Sequence, residues 1–432
     1  MKNLDKASIK IVLPNEVATI IRTLTEHGYE AYAVGGCVRD SILGRKPGDW
    51  DITTSALPEQ VKALFRRTID TGIQHGTVTV MFGKNGFEVT TYRIDGAYED
   101  ARHPKNVEFT SRLEEDLKRR DFTINAMAYN DDSGVVDVFD GLGDLDRGII
   151  RCVGDAYDRF GEDALRILRA VRFSAQLGFE IEKKTSEAIT QLASTLEKIS
   201  KERIHTELNK MLKSAHPEYF LRADELGIMQ VIMPEYHALS REQKLFGGKM
   251  AVGCACELPE KYASMLLFAG ECEGTECTGI HQNASEVCRQ VLRGLKLDNA
   301  TIDTAALLVR QCGLELTEDE SRLRHIMYEV GPQSIIRVLD FRLTYERTRE
   351  DEEQIEKVIK VQELCQKIIE RGDCLSLKEL KITGRDLLEL GIPAGKRLGE
   401  VLNALLMAVL DDQALNTAEE LADRARCFIM QA

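Results

Sequence analysis

The 432-residue chain reads as a mixed α+β domain followed by an all-helical remainder. Two observations predict this. Up to about residue 150, short β-branched runs alternate with amphipathic helical stretches. From about Tyr157 onward the period-2 alternation stops and one helical pattern follows another. With 43% hydrophobic and 30% charged residues, the composition is that of a globular chain long enough for two to four domains.

Residues 31–34, 78–82, 87–92 and 135–139 are the expected strands, the last ended by the turn Asp140-Gly141-Leu142-Gly143. Asn85-Gly86, between two of these runs, is a hairpin signal. Residues 58–65 read as a helix with Pro58 in its first turn. Ser111-Arg112-Leu113-Glu114 has the spacing of a capping box opening another. Farther on, residues 346–370 read as a single, highly charged, solvated helix linking two helical modules.

The net charge of −14 argues at face value against a nucleic-acid partner, but it is unevenly spread. Residues 1–150 carry −5 and residues 214–432 carry −11. Residues 151–213, with 12 Lys and Arg against 10 Asp and Glu, are locally +2. An RNA could be bound there, with modest and salt-sensitive affinity. The sequence shows no apolar run of 18 residues and no signal-peptide core at Met1-Lys2-Asn3-Leu4, so a cytoplasmic protein without a membrane partner is expected. The 11 cysteines are then expected to be reduced thiols. Cys254, Cys256, Cys272, Cys277 and Cys288, with His281, do not have familiar zinc spacing, and helical core or surface thiols are the better expectation.

The sharpest chemical feature is Gly48-Asp49-Trp50-Asp51-Ile52-Thr53-Thr54. In a strand, residues i and i+2 share a face, so Asp49 and Asp51 stand side by side. Two carboxylates that close favour cations between them, and Glu88 on a later Val- and Thr-rich strand offers a third. Just upstream, Val34-Gly35-Gly36-Cys37-Val38-Arg39-Asp40 places a glycine pair and an arginine after a strand. Glycines let the backbone approach phosphate oxygens, and Arg39 adds a charge-assisted bond. The basic corner Lys118-Arg119-Arg120 could bring Arg120 to the same phosphates. These features together suggest metal-dependent nucleotidyl transfer.

A second feature is Glu162-Asp163-Ala164-Leu165-Arg166, continued by Arg169 and Arg172. The spacing predicts Asp163 and Arg166 on one face of a helix, with the three arginines along one side. Guanidiniums in such an apolar helix imply anionic company. Asp163 and Arg166 could read a base edge: the carboxylate accepts from the amine of cytosine or adenine, and the arginine donates to a ring nitrogen.

In order along the chain, these segments resemble the bacterial class II CCA-adding enzymes, tRNA nucleotidyltransferases that share a catalytic head with bacterial poly(A) polymerases. The resemblance runs collinearly from about residue 32 to 179. It also takes in Phe87-Glu88-Val89-Thr90-Thr91-Tyr92-Arg93, Arg119-Arg120-Asp121-Phe122-Thr123-Ile124-Asn125-Ala126 and Gly141-Leu142-Gly143-Asp144-Leu145. Ile382-Thr383-Gly384-Arg385-Asp386-Leu387-Leu388 and Gly395-Lys396-Arg397-Leu398-Gly399-Glu400 are similar to the family's tail element.

The resemblance implies a polymerase-β-type nucleotidyltransferase head over residues 1–150, a neck with the base-recognition helix over 151–210, a helical body over 211–345 and a tRNA-binding helical tail over 346–432. It implies metal ligation by Asp49 and Asp51, with Mg²⁺ as the cofactor and Glu88 supporting the site. Nucleotide contacts would come from Gly36, Arg39, Arg120, Asp163, Arg166, Arg169 and Arg172. CTP, ATP and tRNA would be the substrates, with C and A chosen by protein side chains rather than a nucleic-acid template. Residues 93–109 match the loop that full CCA-adding and A-adding members need, with His103 where a second arginine is expected. An A-adding enzyme, a poly(A) polymerase of the same family and a catalytically inactive tRNA-binding protein remain the alternatives.

Overall fold

The computed structural model describes residues 9–96, 107–255, 257–270 and 280–430. The interior of the 93–109 loop, with His103, lies outside them, as do Cys256, Cys272, Cys277 and the side chain of His281. The chain forms two compact units, residues 1–248 with 291–297, and residues 249–290 with 298–432.

In the first unit, helix α1 (Asn15–Glu26) leads into strand β1 (Ala31–Val34) and helix α2 (Gly36–Ile42). Strand β2 (Asp51–Thr54), helix α3 (Pro58–Leu64) and strands β3 (Thr68–Gly72), β4 (Thr77–Phe82) and β5 (Asn85–Thr91) follow. Next come β6 (Arg93–Asp95), β7 (Val107–Phe109), helix α4 (Leu113–Lys118), β8 (Met127–Asn130) and β9 (Gly134–Asp137). Seven of these strands make one mixed sheet in the order β3-β4-β5-β2-β1-β8-β9, in which β2 and β5 run parallel. The alternation that marked the strands divides its two faces. Ile52 and Val89, paired across β2 and β5, are both buried on one face. Their neighbours Asp51 and Glu88 therefore share the other. Val34, opposite Asp51 on β1, joins Leu117 of α4 in a buried cluster on that second face.

Local details depart from the sequence expectations. The hairpin between β4 and β5 turns on Gly83-Lys84, because Phe82 pairs directly with Asn85 and Gly83 supplies the positive φ of 61°. Asn85 and Gly86 belong to β5 itself. The capping box at Ser111 does not form: α4 begins at Leu113, and the Thr110 hydroxyl accepts from the Arg112 amide in a local turn instead.

The first unit continues through α5 (Gly141–Arg147), β10 (Ile149–Ile150), α6 (Ala156–Glu162), α7 (Leu165–Leu177), β11 (Glu180–Ile181), α8 (Lys183–Leu192) and α9 (Lys201–Leu212). The helical remainder is thus interrupted once, where β11 pairs in parallel with β10. Helices α7 and α9 pack on each other, and Leu168, Val171, Ile204 and Leu208 on them are fully buried at the spacing expected of apolar helix faces.

The second unit is helical throughout its described residues. The charged run expected as one helix is two, Ile335–Arg349 and Glu352–Arg371, packed on each other. The break has a local cause. Glu350 adopts a left-handed conformation with φ 60°, and Asp351 caps the new helix by accepting from the Gln354 amide at 3.2 Å. Nearby, the buried Arg324 donates to the Leu410 carbonyl at 3.0 Å and pairs with Asp373 and Asp412. Cys254 and Cys288 are buried free thiols.

Candidate active site

Asp51 is the first residue of β2 and Asp49 lies two residues before it, so the strand delivers both carboxylates to one end of the sheet. The parallel β2–β5 pairing sets Glu88 beside Asp51. All three are exposed and line one cavity of about 850 Å³, together with Lys46, Trp50 and Lys84. Desolvation is the largest cause raising Asp51 above the usual carboxylate range; the Arg120 guanidinium opposes it and Asp49 adds to it. Glu88 is raised too, first by desolvation and then by the charges of Asp51 and Asp49.

These carboxylates therefore repel one another, which a divalent cation would relieve. Among the described residues, no three His, Cys, Asp or Glu side chains close into a finished metal cage. A divalent ion held by one or two of these carboxylates would complete its shell with water and substrate phosphates.

Behind the acids, Gly35 ends β1 with φ 84° and starts α2. The φ of 84° is what calls for glycine at position 35, and a Cβ there would also crowd Arg120 Nη1 at 3.0 Å. The first amides of α2, from Gly36 onward, lack intrahelical acceptors. Arg120 is held by the fully buried Asp116 at 3.4 Å, and its own Nε is a buried donor without a partner. Arg120 thus lies against the glycine turn on one side and close enough to Asp51 to act on its carboxyl on the other.

Arg39 is placed differently from the expectation of a free phosphate ligand. It is 7% exposed, grips Asp40 through two bonds of 2.9 Å and donates to Asn125 Oδ1 at 2.6 Å. In this structure it braces the glycine turn from below.

On the helical side, the expected helix containing both Asp163 and Arg166 is not formed. Asp163 has extended backbone (φ −143°, ψ 104°) between α6 and α7, and its Oδ1 accepts from the Leu165 amide at 3.0 Å. The side chain competes for a helix-start amide, as aspartate does at such positions. Arg203 of α9 holds this carboxylate through two bonds, 3.3 Å to Oδ1 and 2.7 Å to Oδ2. Arg166 turns instead to Glu162 Oε2 at 2.5 Å and to the carbonyls of Arg159 and Arg119.

The anionic company expected for the three arginines is supplied by the protein itself. Arg166 pairs with Glu162, Arg169 with Asp121 at 2.6 Å and Arg172 with Glu207 at 2.8 Å. Arg39, Arg169 and Arg172 surround the Phe173 ring at 5.0, 5.3 and 3.9 Å from its centroid. Desolvation lowers Arg172 to about 10 despite Glu207. Burial alone would raise Asp121, yet Arg169 and the Asn125 amide hold it down to about 2.

Asp116, Asp121, Arg203 and Glu207 were not singled out from the sequence. Asp121 stood inside a quoted motif, and Glu207 falls on the apolar face of α9 with Ile204 and Leu208, where an acid needs a partner.

Three family models match the chain. Residues 31–151 match the poly(A) polymerase head domain, 178–239 a probable RNA- and SrmB-binding site of polymerase A, and 277–425 a putative domain 2 of tRNA nucleotidyltransferases. The chain is 38% identical over 413 residues to the CCA-adding enzyme of Lactiplantibacillus plantarum, with 94% of each covered. It is 37% identical over 419 residues to that of Enterococcus faecalis, covering 96% of this chain and 97% of the relative. The crystal structure of the Bacillus stearothermophilus CCA-adding enzyme in complex with CTP matches with a TM-score of 0.75 at 31% identity, covering 98% and 100% of the two chains. With relatives spanning more than nine-tenths of its length and a shared overall fold, the chain belongs to the CCA-adding enzymes and is a class II tRNA nucleotidyltransferase.

Proposed function

We propose that this protein completes the 3′ end of tRNA by adding C, C and A from CTP and ATP, without a nucleic-acid template. The observation that carries this reading is that Asp49, Asp51 and Glu88 line one cavity while Arg120, packed against Gly35, lies close enough to Asp51 to oppose the rise of its carboxyl. Asp49 and Asp51 would hold Mg²⁺, which supplies positive charge to the attacking 3′ oxygen and to the triphosphate. Glu88 supports the pair as a third carboxylate in the same cavity.

Arg120 is suited to the triphosphate because its guanidinium lies against the Gly35 turn and close to Asp51. The α2 amides beginning at Gly36 add donors to the same phosphates. Arg39, fixed by Asp40 and Asn125, orients that turn. Asp163 and Arg166 present an acceptor and donors to the base, and at pyrimidine C4 or purine C6 only cytosine and adenine set an amine, where uracil and guanine set a carbonyl. Arg169 and Arg172, on the same helix, would meet the nucleotide from within their pairs with Asp121 and Glu207.

Asp51→Ala tests the catalytic half of this reading. Incorporation of both nucleotides should be abolished, while tRNA binding stays near the wild-type level. Residual turnover within about tenfold of wild type would overturn the assignment.

A further inference from the structure

Whatever reads the base must hold its acceptor still. A uracil or guanine sets a carbonyl where cytosine or adenine sets an amine, and the penalty for the wrong base is two acceptors facing each other. A carboxylate free to swing can withdraw from that contact and forgive the mismatch. Asp163 is a case where such freedom is to be expected from its backbone, because it lies in the extended link between α6 and α7 and not within either helix.

We propose that Arg203 is the positioning residue for base selection, holding Asp163 so that one directed acceptor is left for the incoming base. The proposal rests on the base-reading role of Asp163 given above. Arg203 donates to both carboxylate oxygens, 3.3 Å to Oδ1 and 2.7 Å to Oδ2, and the Leu165 amide donates to Oδ1 at 3.0 Å. A carboxylate has about four lone-pair positions. Three are used here, and the vacancy falls on Oδ2.

The fork is itself anchored. Arg203 and Glu207 are four residues apart on α9, so they face α7 together. Glu207 pairs with Arg172 at 2.8 Å, so α9 gives a base to one end of the nucleotide-facing segment and an acid to the other. Arg166, the second reader, is independently fixed by Glu162 and two carbonyls. Arg203 thus acts through Asp163 and need not touch the nucleotide.

The test is single-nucleotide incorporation of CTP and UTP into a tRNA transcript lacking its last three nucleotides. It uses the full-length protein and the Arg203→Ala, Arg203→Lys, Asp163→Asn and Arg203→Ala/Asp163→Asn variants. The readout is the ratio of kcat/KM for the two nucleotides, with Tm recorded for each variant. Arg203→Ala should lower the CTP/UTP ratio about tenfold or more, with a smaller loss in kcat for CTP. Arg203→Lys should fall between, because an ammonium keeps the attraction but not the fork. Adding Arg203→Ala to Asp163→Asn should change the ratio no further.

If Asp163→Asn relaxes selection while Arg203→Ala and Arg203→Lys keep the wild-type ratio, the positioning role is wrong and base reading by Asp163 stands. If Asp163→Asn itself stays strict, the base-reading role fails and the Arg203 proposal falls with it. Equal loss of kcat for both nucleotides at an unchanged ratio would show a structural role only and overturn the proposal. Should Arg203→Ala fail to fold, Arg203→Lys decides by the same ratio.

Discussion

The Thr53 hydroxyl donates to Asp116 Oδ2 at 3.0 Å, joining strand β2, which begins at Asp51, to helix α4, whose C-terminal end leads into Arg119 and Arg120. Thr53 is two residues after Asp51 and on the same face of β2. Asp116 is fully buried and also binds Arg119 and Arg120. One carboxylate therefore ties the strand of Asp51 to Arg120. Burial would raise Asp116, but the two guanidiniums and this hydroxyl hold it below the usual range.

Asp116→Ala should cost about 3–5 kcal/mol of stability, because it strands two guanidiniums in a buried site. Urea unfolding at neutral pH measures this. Any folded fraction should show a raised KM for CTP and ATP, since Arg120 loses its tether. A loss under about 1 kcal/mol would mean that Thr53 and the surrounding backbone hold Arg120 without Asp116.

The Asp121–Arg169 pair should be visible in acid. Asp121 is held down to about 2 against an ordinary value near 4, so its contribution is present above pH 4 and is lost as pH falls through 2. The stability gap between wild type and Asp121→Asn should shrink by about 2 kcal/mol between pH 5 and pH 2. Denaturant unfolding across that range reads it. A gap independent of pH would contradict the pairing.

The acidic cavity should titrate in the opposite sense. Glu88 is raised by desolvation and then by Asp51 and Asp49, so removing the Asp51 charge should lower it. In a cation-free sample, the Glu88 carboxyl followed by NMR should titrate above the usual glutamate range in wild type and lower in Asp51→Asn. Identical titrations would mean that the two carboxylates do not share one field.

Asp51 and Glu88 were legible because strand alternation fixes faces, while Asp49 lies two residues before the strand and was legible only through its nearness in sequence to Asp51. The arginines of α7 were legible as charges in an apolar helix, but their partners were not. Asp121 and Arg169 are 48 residues apart, and Asp163 and Arg203 are 40 apart, distances over which spacing carries no pairing information. The same limit misplaced Asp163 itself. Its spacing to Arg166 suits a helix face, yet its carboxylate caps the Leu165 amide and opens the backbone there. The hairpin turn moved by two residues because Gly83 can adopt the positive φ that a tight connection needs, which leaves Asn85 free to pair.

The most direct test is end-extension of a tRNA transcript lacking its last three nucleotides, with CTP alone, ATP alone and both, read by mass. Two additions with CTP and three, in the order C, C, A, with both nucleotides are the predicted result. Extension only of a tRNA already ending in CC, or an open-ended run of A on any RNA, would contradict it.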